Sequence, residues 1–65
     1  MRIVVNGQEK QVNAGTSVRQ LLEQSKLPAD KVAVELNRRL LKTERYDTAL
    51  SENDEIEIVT FVGGG

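Results

Sequence analysis

The sequence predicts an α+β domain in which one short helix covers one face of a small sheet, and three observations carry that expectation. Residues 55–62 read as the strongest strand, with Ile56, Ile58, Thr60 and Val62 on one side and Glu55, Glu57, Val59 and Phe61 on the other, the period of a strand. Residues 17–26 instead place Val18, Leu21, Leu22 and Ser25 at helical spacing. At 65 residues the chain can build one core and no second.

Taken in order, residues 1–5 are β-rich, and Asn6-Gly7 is the dipeptide that accepts the positive φ angles of a type I′ turn. Residues 8–13 alternate weakly through Lys10 and Val12, giving a hairpin with a polar second strand. Ala14-Gly15-Thr16 breaks the pattern. Ser17 followed by Gln20 matches the S-x-x-Q capping box, so the helix starts there and runs to Lys26. Pro28 disfavours helical geometry at Leu27, and residues 28–31 form a turn. Val32, Val34 and Leu36 alternate with Ala33 and Glu35 as a half-buried strand, and Asn37-Arg38 reverses the chain into a short strand at 39–42. Thr43 has helix-start chemistry, but residues 43–50 lack the periodicity for more than a turn or a single 3₁₀ turn. Residues 51–54 are a loop before the last strand. Val18, Leu21 and Leu22 are expected to pack on Ile3, Val5, Val34, Ile56 and Ile58.

Composition removes most chemistry. The chain has neither Cys nor His, which excludes disulfides, thiol nucleophiles, imidazole bases and the zinc sites built on those ligands. Nine basic against ten acidic residues give a net charge of -1, without the basic excess that binding a phosphate backbone requires. No N-terminal address is visible, so the mature chain is expected to start at Met1. No apolar run is long enough to span a bilayer. A soluble, cytoplasmic protein, monomeric on its own, is the expectation. Asp30, Asp47, Asp54, Glu52, Glu55 and Glu57 supply carboxylates, but no pair lies in an apolar surround that would separate their acidities. Ser17 and Ser51 have cap or turn roles and no neighbouring base. No catalytic side chain and no metal ligand is assigned.

Gly63-Gly64-Gly65 is the feature that composition leaves open. One reading is a frayed end without chemistry. The other is functional: without Cβ atoms the segment fits a channel too narrow for any side chain. Three residues at about 3.4 Å each would also place a carboxyl group roughly 10 Å beyond the last strand. Residues 1–62 are then the domain and 63–65 a flexible reactive tail.

The order and spacing of the elements resemble the β-grasp fold of ubiquitin, which implies a mixed sheet whose last strand enters beside the first. More specifically, the chain is similar to the ThiS family, sulfur carriers of bacterial thiamine biosynthesis. The residues that carry the likeness are the Asn6-Gly7 hairpin, Gly15-Thr16-Ser17-Val18 with Leu21-Leu22, Val34-Glu35-Leu36-Asn37, Asp54-Glu55-Ile56-Glu57-Ile58, and the end Ile58-Val59-Thr60-Phe61-Val62-Gly63-Gly64-Gly65. The likeness covers the whole chain, and the diglycine end on a β-grasp domain is its specific part. It implies that Gly65 is the covalent carrier site, adenylated with ATP by a ThiF-like adenylating enzyme and converted to a thiocarboxylate. It also implies sulfur from a persulfide, supplied by a cysteine desulfurase relay, and a thiazole synthase (ThiG-like) that consumes it. Gly64 and Gly65 match the family directly and Gly63 extends the tail. No bound cofactor is implied, since ATP and sulfur are used through the partner enzymes.

Three alternatives stay open. The small subunit of molybdopterin synthase also ends in diglycine, but it resembles a longer chain with Pro-Pro before that end, where this sequence has Phe61-Val62. A ubiquitin-like modifier would join Gly65 to lysine, and a plain interaction domain would use the tail for nothing. Under the carrier reading, Val59 and Phe61 face away from the core. Val4 is expected to join them if the last strand lies beside the first, forming an apolar partner-binding patch at the root of the tail.

Overall fold

The computed structural model describes residues 1–61. Two hairpins and one helix are arranged around a last strand that both hairpins flank. β1 (Arg2–Val5) and β2 (Gln8–Gln11) form the first hairpin, followed by α1 (Val18–Gln24). β3 (Val32–Leu36) and β4 (Arg39–Leu41) form the second, and β5 (Glu55–Thr60) comes last. Single 3₁₀ turns at Ala29–Lys31 and Thr43–Arg45 precede β3 and follow β4. The sheet order is β2-β1-β5-β3-β4. β5 runs parallel to β1, with Val4 beside Glu55, and antiparallel to β3, with Val34 beside Ile58. This mixed five-stranded sheet with one helix is the expected β-grasp arrangement.

Both hairpins close through two-residue turns with positive φ at both positions: Asn6 at 50° and Gly7 at 82°, Asn37 at 52° and Arg38 at 70°. That is type I′ geometry, whose twist matches the flanking strands. Asparagine leads each turn for a second reason. β1 turns away after Val5, leaving Ile58 without a backbone partner on that side; the Asn6 amide takes its place, accepting from Ile58 N–H at 2.7 Å and donating to Ile58 C=O at 3.2 Å. At the other end of β5, Asn37 accepts from Glu55 N–H at 2.9 Å, and its own N–H donates to Glu55 C=O at 2.8 Å. The central strand is thus clamped at both ends by the turn asparagines of the two hairpins.

The helix starts through the predicted capping box: Ser17 Oγ accepts from Gln20 N–H at 3.1 Å and Gln20 Oε1 from Ser17 N–H at 3.0 Å. It ends earlier than the spacing suggests, at Gln24 with Ser25 as its cap. Lys26 adopts φ 59°, while Leu27 N–H donates to Leu22 C=O at 2.9 Å and Lys26 N–H to Glu23 C=O at 3.1 Å. This is a Schellman ending with lysine where glycine is the usual residue. The strands at 8–13, 39–42 and 55–62 are likewise shorter at their far ends, and Val62, expected on the last strand, lies outside the described residues. Thr43 caps nothing, because Lys42 stands at the cap position without a side-chain bond.

The core comprises Ile3, Val18, Leu21, Leu22, Val32, Val34, Tyr46, Leu50, Ile56 and Ile58. Val5, expected among them, is only partly buried at its rim. Tyr46 and Leu50 are additions. Their segment straps the helix start: Arg19 N–H donates to Tyr46 C=O at 2.9 Å and Leu50 N–H to Thr16 C=O at 2.8 Å. Arg19 closes over the strap, its guanidinium 6.0 Å from the Tyr46 ring centroid and its Nε 2.7 Å from Asp47 Oδ1. No helix among the described residues is long and apolar enough to cross a membrane.

Candidate functional site

The glycine segment follows β5, so the site is built from the end of that strand. β5 is the longest strand among the described residues; its first half pairs with β1 on one side and β3 on the other, while its second half is held by β3 and by the Asn6 amide. The ladder to β3 continues one step past the strand, where Phe61 N–H donates to Lys31 C=O at 2.7 Å. The backbone is therefore fixed up to Phe61, four residues before Gly65. The proposed carrier residue Gly65 and the tail residues Gly63 and Gly64 lie outside the described residues, as does Val62.

Around this root the helix-free face of the sheet carries Val59 and Phe61, 60% and 54% exposed. Val59 stays open because its cross-strand partner is the small Ala33. Val4 does not join them. In the parallel register Val4 pairs with Glu55, four residues before Val59, or about 13 Å along the strand at roughly 3.3 Å per residue. The expectation of a three-residue patch came from strand order alone; register depends on where β1 turns, and the Asn6-Gly7 turn ends β1 before it reaches Val59. Phe61 and Val59 make the patch with Ala33 beneath them.

The electrostatics of this face are not neutral. Glu57 stands directly opposite Glu35 across the β5–β3 ladder, and neither enters an ion pair among the described residues. Like charges facing each other in a sheet are destabilising, so the pair is retained at a cost to the fold. On the β1–β2 side of the same face Arg2 pairs with Glu9 at 3.1 Å. A third large exposed hydrophobic, Leu40 at 69%, sits on the edge strand and was not singled out in the sequence. The signal was there: Arg39-Leu40-Leu41 puts two leucines in succession on a strand, and one of them must face away from the core. The described residues contain no group of three metal-ligating side chains.

The arrangement has a rigid central strand leading out of the sheet, an apolar pair beside its exit, and no catalytic constellation among the described residues. Comparison with known proteins gives this geometry its context. The chain is similar to a ThiS thiamine biosynthesis protein from Geobacter metallireducens, seen in a crystal structure at 36% identity, with both chains fully covered and a TM-score of 0.81. It is also 38% identical over its whole length to a thiazole synthase of Paramagnetospirillum magneticum and 39% identical to one of Magnetococcus marinus. The chain spans a fifth of the length of those two relatives. The profile of the ThiS family matches residues 3–65, from the first buried strand residue through the glycine segment. By that match over residues 3–65, with a likeness in fold over the full length, the chain belongs to the ThiS family.

Proposed function

We propose that this protein carries sulfur for thiazole formation on the carboxyl group of Gly65. The observation that carries the reading is that Gly63-Gly64-Gly65 follow two residues after the clamped central strand in the sequence of a ThiS family chain. The similarity to thiazole synthases supports the consumer of the sulfur as an enzyme of that kind.

The chemistry asks little of the carrier. A carboxylate is a poor electrophile; attack of its oxygen on the α-phosphorus of ATP releases pyrophosphate and leaves a mixed anhydride. A sulfide or persulfide sulfur then attacks the carbonyl carbon and AMP departs with the bonding pair; sulfide gives the thiocarboxylate at once, whereas a persulfide gives an acyl disulfide, whose S–S bond is broken by a second thiolate of the donor enzymes that joins the donor sulfur as a disulfide and releases the thiocarboxylate with the electron pair. Adenylation and sulfur delivery belong to a ThiF-like adenylating enzyme and a cysteine desulfurase relay, in the cytoplasm. The sequence has no cysteine, so the only covalent sulfur seat this mechanism offers is the Gly65 carbonyl carbon. Glycines at 63 and 64 allow the tail to lie in a narrow channel and to take the φ that a partner's site imposes. Val59 and Phe61 are the surface on which those partners dock.

Intact-mass measurement tests the reading. Incubation with adenylating enzyme, ATP and sulfur donor should raise the chain's mass by the difference between sulfur and oxygen, with fragmentation placing the change on Gly65. Removing Gly64 and Gly65 should abolish the shift without changing the melting temperature, and Gly64→Ala should slow adenylation. A shift located elsewhere, lysine adducts on other proteins in place of the thiocarboxylate, or thiazole formation by the shortened chain refutes the assignment.

A further inference from the structure

The sheet has two open edges, and they are built differently. β2 presents Gln8, Glu9, Lys10 and Gln11, all exposed and none apolar, the composition that discourages pairing with another chain. β4 at the other edge exposes Leu40, and a groove along it is lined by Leu36, Arg39, Leu40, Leu41, Lys42 and Arg45. The two-residue turn makes Leu36 and Arg39 a hydrogen-bonded pair. Alternation along the ladder then directs the N–H and C=O of Leu40 to the open edge. This edge therefore offers backbone groups, an apolar floor and a rim of cations together.

Charge singles out the same segment. Residues 38–45 hold Arg38, Arg39, Lys42 and Arg45 against Glu44, a net +3, while the other residues hold five basic and nine acidic side chains, a net -4, which together give the chain's -1. None of these four cations enters an ion pair among the described residues. We propose that the β4 edge binds an extended, acidic segment of a partner protein, which adds as a strand beside Leu40. Alternation along β4 and into Lys42 puts Leu40 and Lys42 on one face and Arg39 and Leu41 on the other, the face of Leu36. The carboxylates of the added strand would meet Lys42 on the first face, and its alternate apolar side chains would rest on Leu36 and Leu41 on the second. Backbone pairing supplies affinity in this mode and the side-chain rim supplies selectivity. A second copy of this chain does not fit, because pairing β4 with β4 brings the two cation clusters face to face. A nucleic acid strand fits less well, because the floor is leucine and offers no aromatic ring for base stacking.

The probe is a short end-capped peptide of alternating glutamate and valine, titrated into the isotope-labelled full chain and followed by NMR. The expected result is saturable shifts centred on the amides of Leu40 and Lys42. The double charge reversal Arg39→Glu with Lys42→Glu weakens binding at least about tenfold. Leu40→Pro removes an outward N–H that the β3 ladder does not use, and so abolishes binding in a folded protein. Circular dichroism checks the fold of each variant, and if Leu40→Pro unfolds, the charge-reversed variant decides. The proposal is overturned by no shift up to about millimolar peptide, an affinity too weak to matter at about 4 kcal/mol. It is also overturned by shifts centred on Val59 and Glu57, by equal binding of a lysine–valine peptide, by tighter binding of oligothymidylate to the same amides, or by self-association through β4.

Discussion

Replacing Asn6 with glycine isolates the clamp on the end of β5. Glycine accepts the φ of 50° that the turn requires, so the backbone is kept and only the side-chain amide is lost. Two hydrogen bonds disappear, from Ile58 N–H at 2.7 Å and to Ile58 C=O at 3.2 Å. Both Ile58 groups face the side on which β1 has already turned away, so no protein group replaces the amide. At about 0.5–1.5 kcal/mol for each net hydrogen bond the loss is about 2 kcal/mol. In a domain of this size that lowers the melting temperature by about 8–16 °C. Thermal unfolding by circular dichroism measures the total, and hydrogen exchange at the Ile58 amide locates it. Asn37→Gly is the control: it removes the equivalent bond to Glu55 N–H at the other end of β5, so it should lower stability while leaving Ile58 protected beyond the global change. A loss below about 3 °C for Asn6→Gly, against the range expected from two bonds, or an Ile58 amide no faster than its neighbours, refutes the clamp.

Other outcomes follow from single contacts. Ser17→Ala breaks the capping box and should cost about 1 kcal/mol by denaturant unfolding, with sulfur loading unchanged per folded molecule. Lys26→Gly relieves a left-handed residue at the helix end and should add about 1 kcal/mol by the same measurement. Glu57→Thr removes the repulsion with Glu35 and should stabilise by about 0.5 kcal/mol in denaturant unfolding. Phe61→Ala should weaken docking to the adenylating enzyme about tenfold in calorimetric titration while unfolding stability stays within about 0.5 kcal/mol, because the ring is more than half exposed.

The parts of this fold legible in the sequence are those written in local chemistry. The Asn6-Gly7 turn, the Ser17–Gln20 box and the alternation of β5 each depend on residues within a few positions of one another. What stayed hidden depends on residues far apart. The Val4 register was misplaced because nothing local says how far β1 runs beside β5. Tyr46 and Leu50 lie in a polar stretch without period, and their burial follows only from the strap they form over the helix start. The early end of α1 is set by Lys26 adopting a conformation for which lysine gives no sequence signal. The site divides the same way: Val59 and Phe61 were readable from alternation, whereas the opposition of Glu35 and Glu57 needed the pairing of β3 with β5.

Under the proposed function the reacting carboxyl group follows the last strand in sequence, and this sets a particular physical demand. The domain must hold the exit point of its last strand firmly, while the glycines at 63–65 carry no side chains. Pairing on two sides holds the start of β5, but β1 is too short to hold its end. The side chain of a turn residue meets that need at Ile58, and one backbone bond to Lys31 extends the hold to Phe61. Neither contact adds apolar area to the core, so neither is explained by burial. Their effect is to fix the direction in which the chain leaves the sheet and the position of Val59 and Phe61 beside it. The fold thereby supplies orientation and a docking surface, and under the proposed function the enzymes that bind it supply the catalysis.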